Sequence, residues 1–186
     1  HEIVQNKHVV EALKKKGAIT VEDIALVPEG SVVVFSAHGS PREHYAQARV
    51  RNLTLIDATC PLVTKVHLEL LRYLKEGYRV IYIGHRGHIE GVGVLGEAPG
   101  VEIPIVETVE DVERLDIGQP DKVVYLTQTT LSVDETRGVI EVLTQKYPNI
   151  IAPPLQDICF ATTNRQAAVK VLAERSELVL IFGSQN

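Results

Sequence analysis

At 186 residues, 45% apolar and 23% charged, the chain can bury a genuine core and reads as a soluble globular α/β protein. A formal net charge of −5 and a pI near 5.8 leave no overall positive field to attract nucleic acid, so basic residues would have to act locally. No apolar run reaches the roughly 18 residues of a membrane-spanning helix, and the two cysteines, Cys60 and Cys159, form neither a CxxC motif nor a disulfide framework, which points to no membrane partner and to a reducing cytoplasm.

Taken in chain order, a first helix is expected to close at Gly17, where Lys14, Lys15 and Lys16 suit the negative pole of the helix dipole as a solvated face. A strand at Val32–Phe35 leads into Ser36-Ala37-His38-Gly39-Ser40. The next helix start is marked by Ser40-Pro41-Arg42-Glu43, which reads as an N-cap serine, a proline at the first helical position and a glutamate three residues after the cap. A second strand, Leu53–Ile56, leads into Asp57-Ala58-Thr59-Cys60-Pro61, and the apolar stripe Val63, Val66, Leu70 and Leu74 follows at helical spacing before Gly77.

The order then repeats. Val80–Ile83 precedes Gly84-His85-Arg86-Gly87-His88-Ile89-Glu90, and Val123–Leu126 precedes Thr127-Gln128-Thr129-Thr130-Leu131-Ser132 with a helical stripe at Val139, Ile140 and Leu143. A further stripe at Ala168, Val171 and Leu172 comes before an expected strand at Leu178–Phe182 and the segment Gly183-Ser184-Gln185-Asn186. Strands alternating with helices imply consecutive small units of mostly parallel sheet with flanking helices around a central site. Boundaries are expected near Cys60-Pro61 and Pro153-Pro154, giving a first α/β unit at 1–60, a second at 61–153 and the start of a third at 154–186. The opening His1 and the absence of methionine suggest an internal piece of a longer protein.

Polar and reactive side chains collect at strand carboxyl ends, where open parallel sheets bind ligands and helix N-termini favour anions. Thr129, Thr130 and Ser132 offer neutral donors, and His38 and His88 offer imidazoles, without the aromatic platforms of a nucleobase reader. A small phosphorylated metabolite suits them. A lone cysteine is usually a small hydrophobe, yet Cys60 and Cys159 each follow a nearby aspartate and precede a helix whose N-terminal dipole favours thiolate, a ligand for soft metals. His85, His88 and Glu90 could alternatively form a hydrolytic zinc site, although Gly84 and Gly87 argue for a loop rather than the helix such motifs occupy. A non-catalytic phosphate-binding module stays open as a third reading.

At these residues the sequence resembles the LytB family of 4-hydroxy-3-methylbut-2-enyl diphosphate reductases. The resemblance runs through His1-Glu2-Ile3-Val4, Ser36-Ala37-His38-Gly39, Asp57-Ala58-Thr59-Cys60-Pro61-Leu62-Val63, Leu126-Thr127-Gln128-Thr129-Thr130-Leu131-Ser132-Val133-Asp134 and Asp157-Ile158-Cys159-Phe160-Ala161-Thr162-Thr163-Asn164-Arg165-Gln166. It implies a three-unit α/β protein around a 4Fe-4S cluster held by three cysteines, with one iron left open for the substrate hydroxyl. Cys60 and Cys159 match two of those ligands. Ferredoxin or flavodoxin would supply two electrons, the hydroxyl would leave as water, and the allylic fragment would be protonated to isopentenyl or dimethylallyl diphosphate.

The same resemblance matches Glu90 to the proton-delivering carboxylate and Thr129 to the threonine that relays or orients that proton. His38 and His88 match imidazoles lining the substrate pocket, expected to offset diphosphate charge when protonated. The family's first cluster cysteine is expected upstream of residue 1, and its serine-x-asparagine diphosphate contacts are expected just past Asn186. Gln5 stands where many members carry a pocket histidine, and Ile89 where they carry proline between His88 and Glu90. Glutamine at 5 donates hydrogen bonds to the substrate but brings no positive charge.

Overall fold

The computed structural model describes residues 2–4, 6–153 and 157–182. They form two compact units, one comprising His1–Glu76 with Arg86–Ile103, the other Gly77–His85 with Pro104–Asn186.

In the first unit, helix α1 (Lys7–Lys15) is capped by the Asn6 side chain, which accepts from the Val9 amide, and carries Lys14 and Lys15 in its last turn. Strands β1 (Val32–Phe35) and β2 (Thr54–Asp57) pair in parallel, with Val34 opposite Ile56. Their parallel course needs a crossover, supplied by α2 (Arg42–Val50). Phe35, Ala48, Ile24 and Val27 bury a small core against one face of this sheet, with Tyr45 set edge-on to Phe35 at 4.9 Å between ring centres. Helix α3 (Pro61–Lys75) buries Val63, Val66, His67, Leu70 and Tyr73, and α4 (Ile89–Leu95) packs against it.

The second unit is built on a four-stranded parallel sheet in the order β4 (Ile105–Val106), β3 (Arg79–Ile83), β5 (Val123–Thr127), β6 (Ile150–Ile151). Both central strands are nearly fully buried, as continuous aliphatic runs require when both faces are covered. Helices α5 (Val109–Arg114) and α6 (Val133–Lys146) cover this sheet, and Ile81, Ile83, Val106, Val112, Val123, Val139 and Leu143 make the core between them. Leu143 is fully buried. Leu143→Ala is therefore expected to destabilise the unit by about 2–5 kcal/mol, read from the denaturant midpoint, because the cavity left in a close-packed core relaxes only in part.

The alternating parallel plan matches the expectation, with strand ends within a residue of those foreseen. Gly17 and Gly77 follow their helices with φ of +94° and +80°. Two local expectations fail. The capping box at Ser40 does not form: Pro41 occupies the cap position, with no side-chain hydrogen bond, and Arg42 begins the helix. The proline ring cannot donate and has a fixed φ, so it closes the turn one residue later than the serine pattern suggests.

Leu178–Phe182 forms no strand, and Leu178, Leu180, Ile181 and Phe182 are 68–89% exposed. A strand exists only by pairing, and none of the described strands takes this segment as a neighbour. The stripe Ala168, Val171 and Leu172 does lie on a helix, α7 (Phe160–Arg175), but none of that helix is buried in the described residues. Among the described residues no helix is long and apolar enough to cross a membrane.

Candidate functional site

In the first unit three chemistry-bearing segments are joined by backbone bonds and close packing. The Cys60 amide donates to the Ala37 carbonyl at 3.0 Å and Ala58 to Phe35 at 3.2 Å, so the loop after β2 is stitched to the loop after β1 that carries His38. Cys60 then caps α3, with Pro61 at the first helical position. On the other side α4 approaches closely because Gly93 has no side chain: a Cβ there would lie 3.3 Å from the Gly39 carbonyl carbon and 3.4 Å from the Ser40 nitrogen. Gly39 itself has φ of +82°, and a Cβ on it would meet the buried His67 ring at 2.8 Å. The peptide after His38 is thus held between α3 and α4.

His88 caps α4, accepting at Nδ1 from the Glu90 amide at 3.2 Å. An accepting Nδ1 carries no proton, which leaves Nε2 as the donor of a neutral ring. The His38 ring stands edge-on to His88 at 6.2 Å, and its Nδ1 lies 3.3 Å from Ser36 Oγ. Burial lowers the His38 pKa, and a proton on the neighbouring His88 would lower it further. The same surroundings disfavour a positive charge on the His38 ring. Glu90, in the first turn of α4, is 1% exposed. Ile89 takes the first position of α4 without interrupting it.

In the sequence Asp57 stands out only as a neighbour of Cys60. Burial by itself would raise its pKa, but the Thr59 hydroxyl and amide, together with Tyr45, outweigh burial and hold it below 3.8. The Tyr45 hydroxyl donates to Asp57 Oδ2 at 2.8 Å, and burial with that bond pushes the Tyr45 pKa up to about 12. A carboxylate with a depressed folded pKa contributes stability above its unfolded value and loses it as pH falls through the folded one. Tyr45→Phe is expected to move the Asp57 titration upward and flatten the acid dependence of stability below pH 4, about the unfolded value; an unmoved Asp57 carboxyl resonance would reject this account. His67, which sits beside the apolar stripe of α3, is a residue that sequence reasoning passes over. Its Nδ1 lies 2.9 Å from Glu97 Oε1, which ties α3 to the end of α4, and a histidine beside an apolar stripe is the trace it leaves in the sequence.

In the second unit the end of β5 and the start of the loop after it are buried, with Thr127, Gln128 and Thr129 at 4%, 1% and 5% exposure. Gln128 Oε1 accepts from the His85 amide at 3.0 Å and its Nε2 donates to Thr130 at 3.1 Å. Ser132 caps α6, accepting from the Glu135 amide. Cys159 caps α7: its Sγ accepts from the Thr162 amide at 3.3 Å and lies 2.9 Å from the Thr162 hydroxyl. The Cys159 amide donates to the Thr129 carbonyl at 2.9 Å, so the second unit brings these two residues together.

Both cysteines are free and partly buried. A free thiol at a helix start, among unpaired amides, fits a thiolate donor to iron, and Cys60 and Cys159 both meet that description. His85 is exposed, and among the described residues no three of His, Cys, Asp or Glu converge to hold a metal ion, so the zinc-hydrolase reading is not favoured. Gln5 lies outside the described residues, as do Pro154 and the segment 183–186.

The sequence model described as LytB protein matches residues 1–186. A 4-hydroxy-3-methylbut-2-enyl diphosphate reductase of Mycobacterium ulcerans is 53% identical over 186 residues, covering all of this chain and 56% of the relative. One of Actinobacillus pleuropneumoniae serotype 3 is 50% identical over 188 residues, covering all of this chain and 60% of its own length. The chain thus spans about 60% of the curated relatives it matches. Among solved structures, the E-1-hydroxy-2-methyl-but-2-enyl-4-diphosphate reductase from Plasmodium falciparum superposes with a TM-score of 0.94 at 42% identity, over all of this chain and 58% of that one. A second, an (E)-4-hydroxy-3-methyl-but-2-enyl diphosphate reductase that is the terminal enzyme of the non-mevalonate pathway, gives 0.77 at 31% identity, over all of this chain and 65% of that one.

Proposed function

The chain belongs to the LytB protein family, and from that membership we propose that the protein of which it is a part reduces 4-hydroxy-3-methylbut-2-enyl diphosphate to isopentenyl and dimethylallyl diphosphate. The observation that carries the reading is the pair of free cysteines, Cys60 and Cys159, each at the N-cap of a helix and within a segment that resembles the family. They would be two of three ligands to a 4Fe-4S cluster, the third coming from outside this chain. Such a cluster, when bound, supplies electrons and an open iron that accepts the substrate hydroxyl.

The chain's own residues take the remaining tasks. Glu90, enclosed at the start of α4, holds the proton that the allylic fragment needs, since a carboxyl shielded from water can act as general acid. Thr129, buried beside the Cys159 amide, orients that proton. His88 presents an Nε2 donor to the diphosphate, and His38, its neighbour, adds a second neutral contact. Two electrons come from a ferredoxin or flavodoxin, and a reducing cytoplasm suits both free thiols.

Anaerobic reconstitution of the full-length protein with iron and sulfide, followed by assay with a chemical reductant and the diphosphate, tests the reading. Iron binding with reductive loss of the hydroxyl is the expected result. A protein that binds the diphosphate and gains no iron would instead be a phosphate-binding module.

A further inference from the structure

Helix α7 begins at Cys159, yet none of its 16 residues is buried, and Phe160, the residue after the cysteine, is 84% exposed. Apolar packing at this end comes from Ile158, just before the cap, which lies against the core of the second unit, and none comes from a buried residue of the helix itself. The other ties are polar. Running from the end of β5 into α6, alternate residues of one segment are tied to α7 and the residues that lead into it. The Thr127 amide donates to Asp157 Oδ2 at 3.0 Å, and the Thr129 carbonyl accepts from the Cys159 amide at 2.9 Å. The Leu131 carbonyl accepts from Gln166 Nε2 at 2.9 Å, and the Val133 amide donates to Gln166 Oε1 at 2.8 Å.

Gln166 is the tie that comes from within the helix. Its amide uses both ends at once, donor to one backbone group and acceptor for another, on the two residues flanking the Ser132 cap of α6. Val133 is the first residue of α6, so its amide is among those a helix cannot satisfy by itself. The remaining side-chain tie described for α7 is the exposed pair of Lys170 with Asp134, which solvent and salt weaken. A side chain that fixes the body of the helix against the Thr129 loop also fixes the direction in which its first turn delivers the Cys159 sulfur.

We propose that Gln166 is a positioning residue which, with Asp157, locks the Cys159 thiol in register with Thr129, so that a metal ligand and a proton-handling hydroxyl keep one separation. The metal and proton roles rest on the function proposed above. The register lock rests on the hydrogen bonds alone.

The test uses the full-length protein, in apo and cluster-loaded forms, with Gln166→Met, which keeps length and removes both bonds, and with Lys170→Met as the control on the same helix. In the apo form, exchange of the Cys159 amide is expected to rise about tenfold in Gln166→Met, the factor that about 1.4 kcal/mol makes in an equilibrium and a reasonable sum for one or two hydrogen bonds. Alkylation of Cys159 should rise with it, while Lys170→Met leaves both unchanged. In the loaded form, kcat is expected to fall about tenfold with KM changed less than about twofold, the mark of an interaction used in the transition state rather than in binding.

Gln166→Glu, which keeps an acceptor for Val133 and loses the donor to Leu131, should fall between wild type and Gln166→Met, and it serves alone if the methionine variant does not fold. Loss of protection at Val133 with Cys159 exchange and alkylation unmoved overturns the proposal. If the wild-type protein neither takes up iron nor turns over the diphosphate, the metal reading fails, and the exchange data still decide the lock.

Discussion

The full-length protein carrying Cys159→Ser, or Cys60→Ser, is expected to keep its fold and lose most of its bound iron and all measurable reductive turnover. Serine is among the preferred N-cap residues, and at 159 its hydroxyl can accept the Thr162 amide that the sulfur now accepts. At Cys60 the side chain makes no capping bond that serine would have to replace. Neither substitution opens a cavity in a core, since both positions are partly exposed. The thermal midpoint should therefore stay near wild type or rise slightly.

Iron responds differently. A thiolate is a soft, readily ionised ligand matched to iron–sulfur chemistry, whereas a serine hydroxyl is a hard one that stays protonated near neutral pH. Iron per protein and the visible absorbance of the reconstituted sample separate the two effects. Near wild-type iron in both variants would remove these cysteines from the ligand set.

Glu90→Gln is expected to leave iron content and substrate binding almost unchanged while turnover falls by about 10²–10⁴, the range typical of losing a positioned proton donor. Glutamine has nearly the same volume, which matters because Glu90 is 1% exposed in the first turn of α4. The bond from its amide to His88 Nδ1 involves the backbone and survives the change. What disappears is the ionisable proton of the carboxyl, which an amide cannot supply. Substrate affinity and iron content serve as the controls, and turnover within a few fold of wild type would deprive Glu90 of its proton-handling role.

Much of the fold was legible because the informative patterns are local. Aliphatic runs of four or five residues marked β1, β3 and β5, and the stripe through Val63, Val66 and Leu70 marked α3, since burial of one face at helical spacing leaves that trace in any solvent-facing helix. The paired strands β4 and β6, two residues each, left no such trace. Their identity comes from lying beside β3 and β5, and two residues are too few to show a period. Leu178–Phe182 failed for the opposite reason: an apolar run looks like a strand whether or not a neighbour is present to receive its hydrogen bonds.

The candidate site divides the same way. Residue types at strand ends, and the motifs shared with a family, were enough to single out His38, Cys60, His88, Glu90, Thr129 and Cys159 without any coordinates. The chemistry of a thiol or a carboxyl belongs to the residue itself. What surrounds each one was settled only by the folded chain: the Gly93 approach to Gly39, the neutral state that burial and His88 favour in His38, the pairing of His67 with Glu97, and the two bonds of Gln166. These depend on contacts between residues tens of positions apart, and such pairings carry no periodic signature because the chain between them only has to close the loop. Tertiary packing chooses them, and it is packing that turns reactive residue types into a geometry able to act.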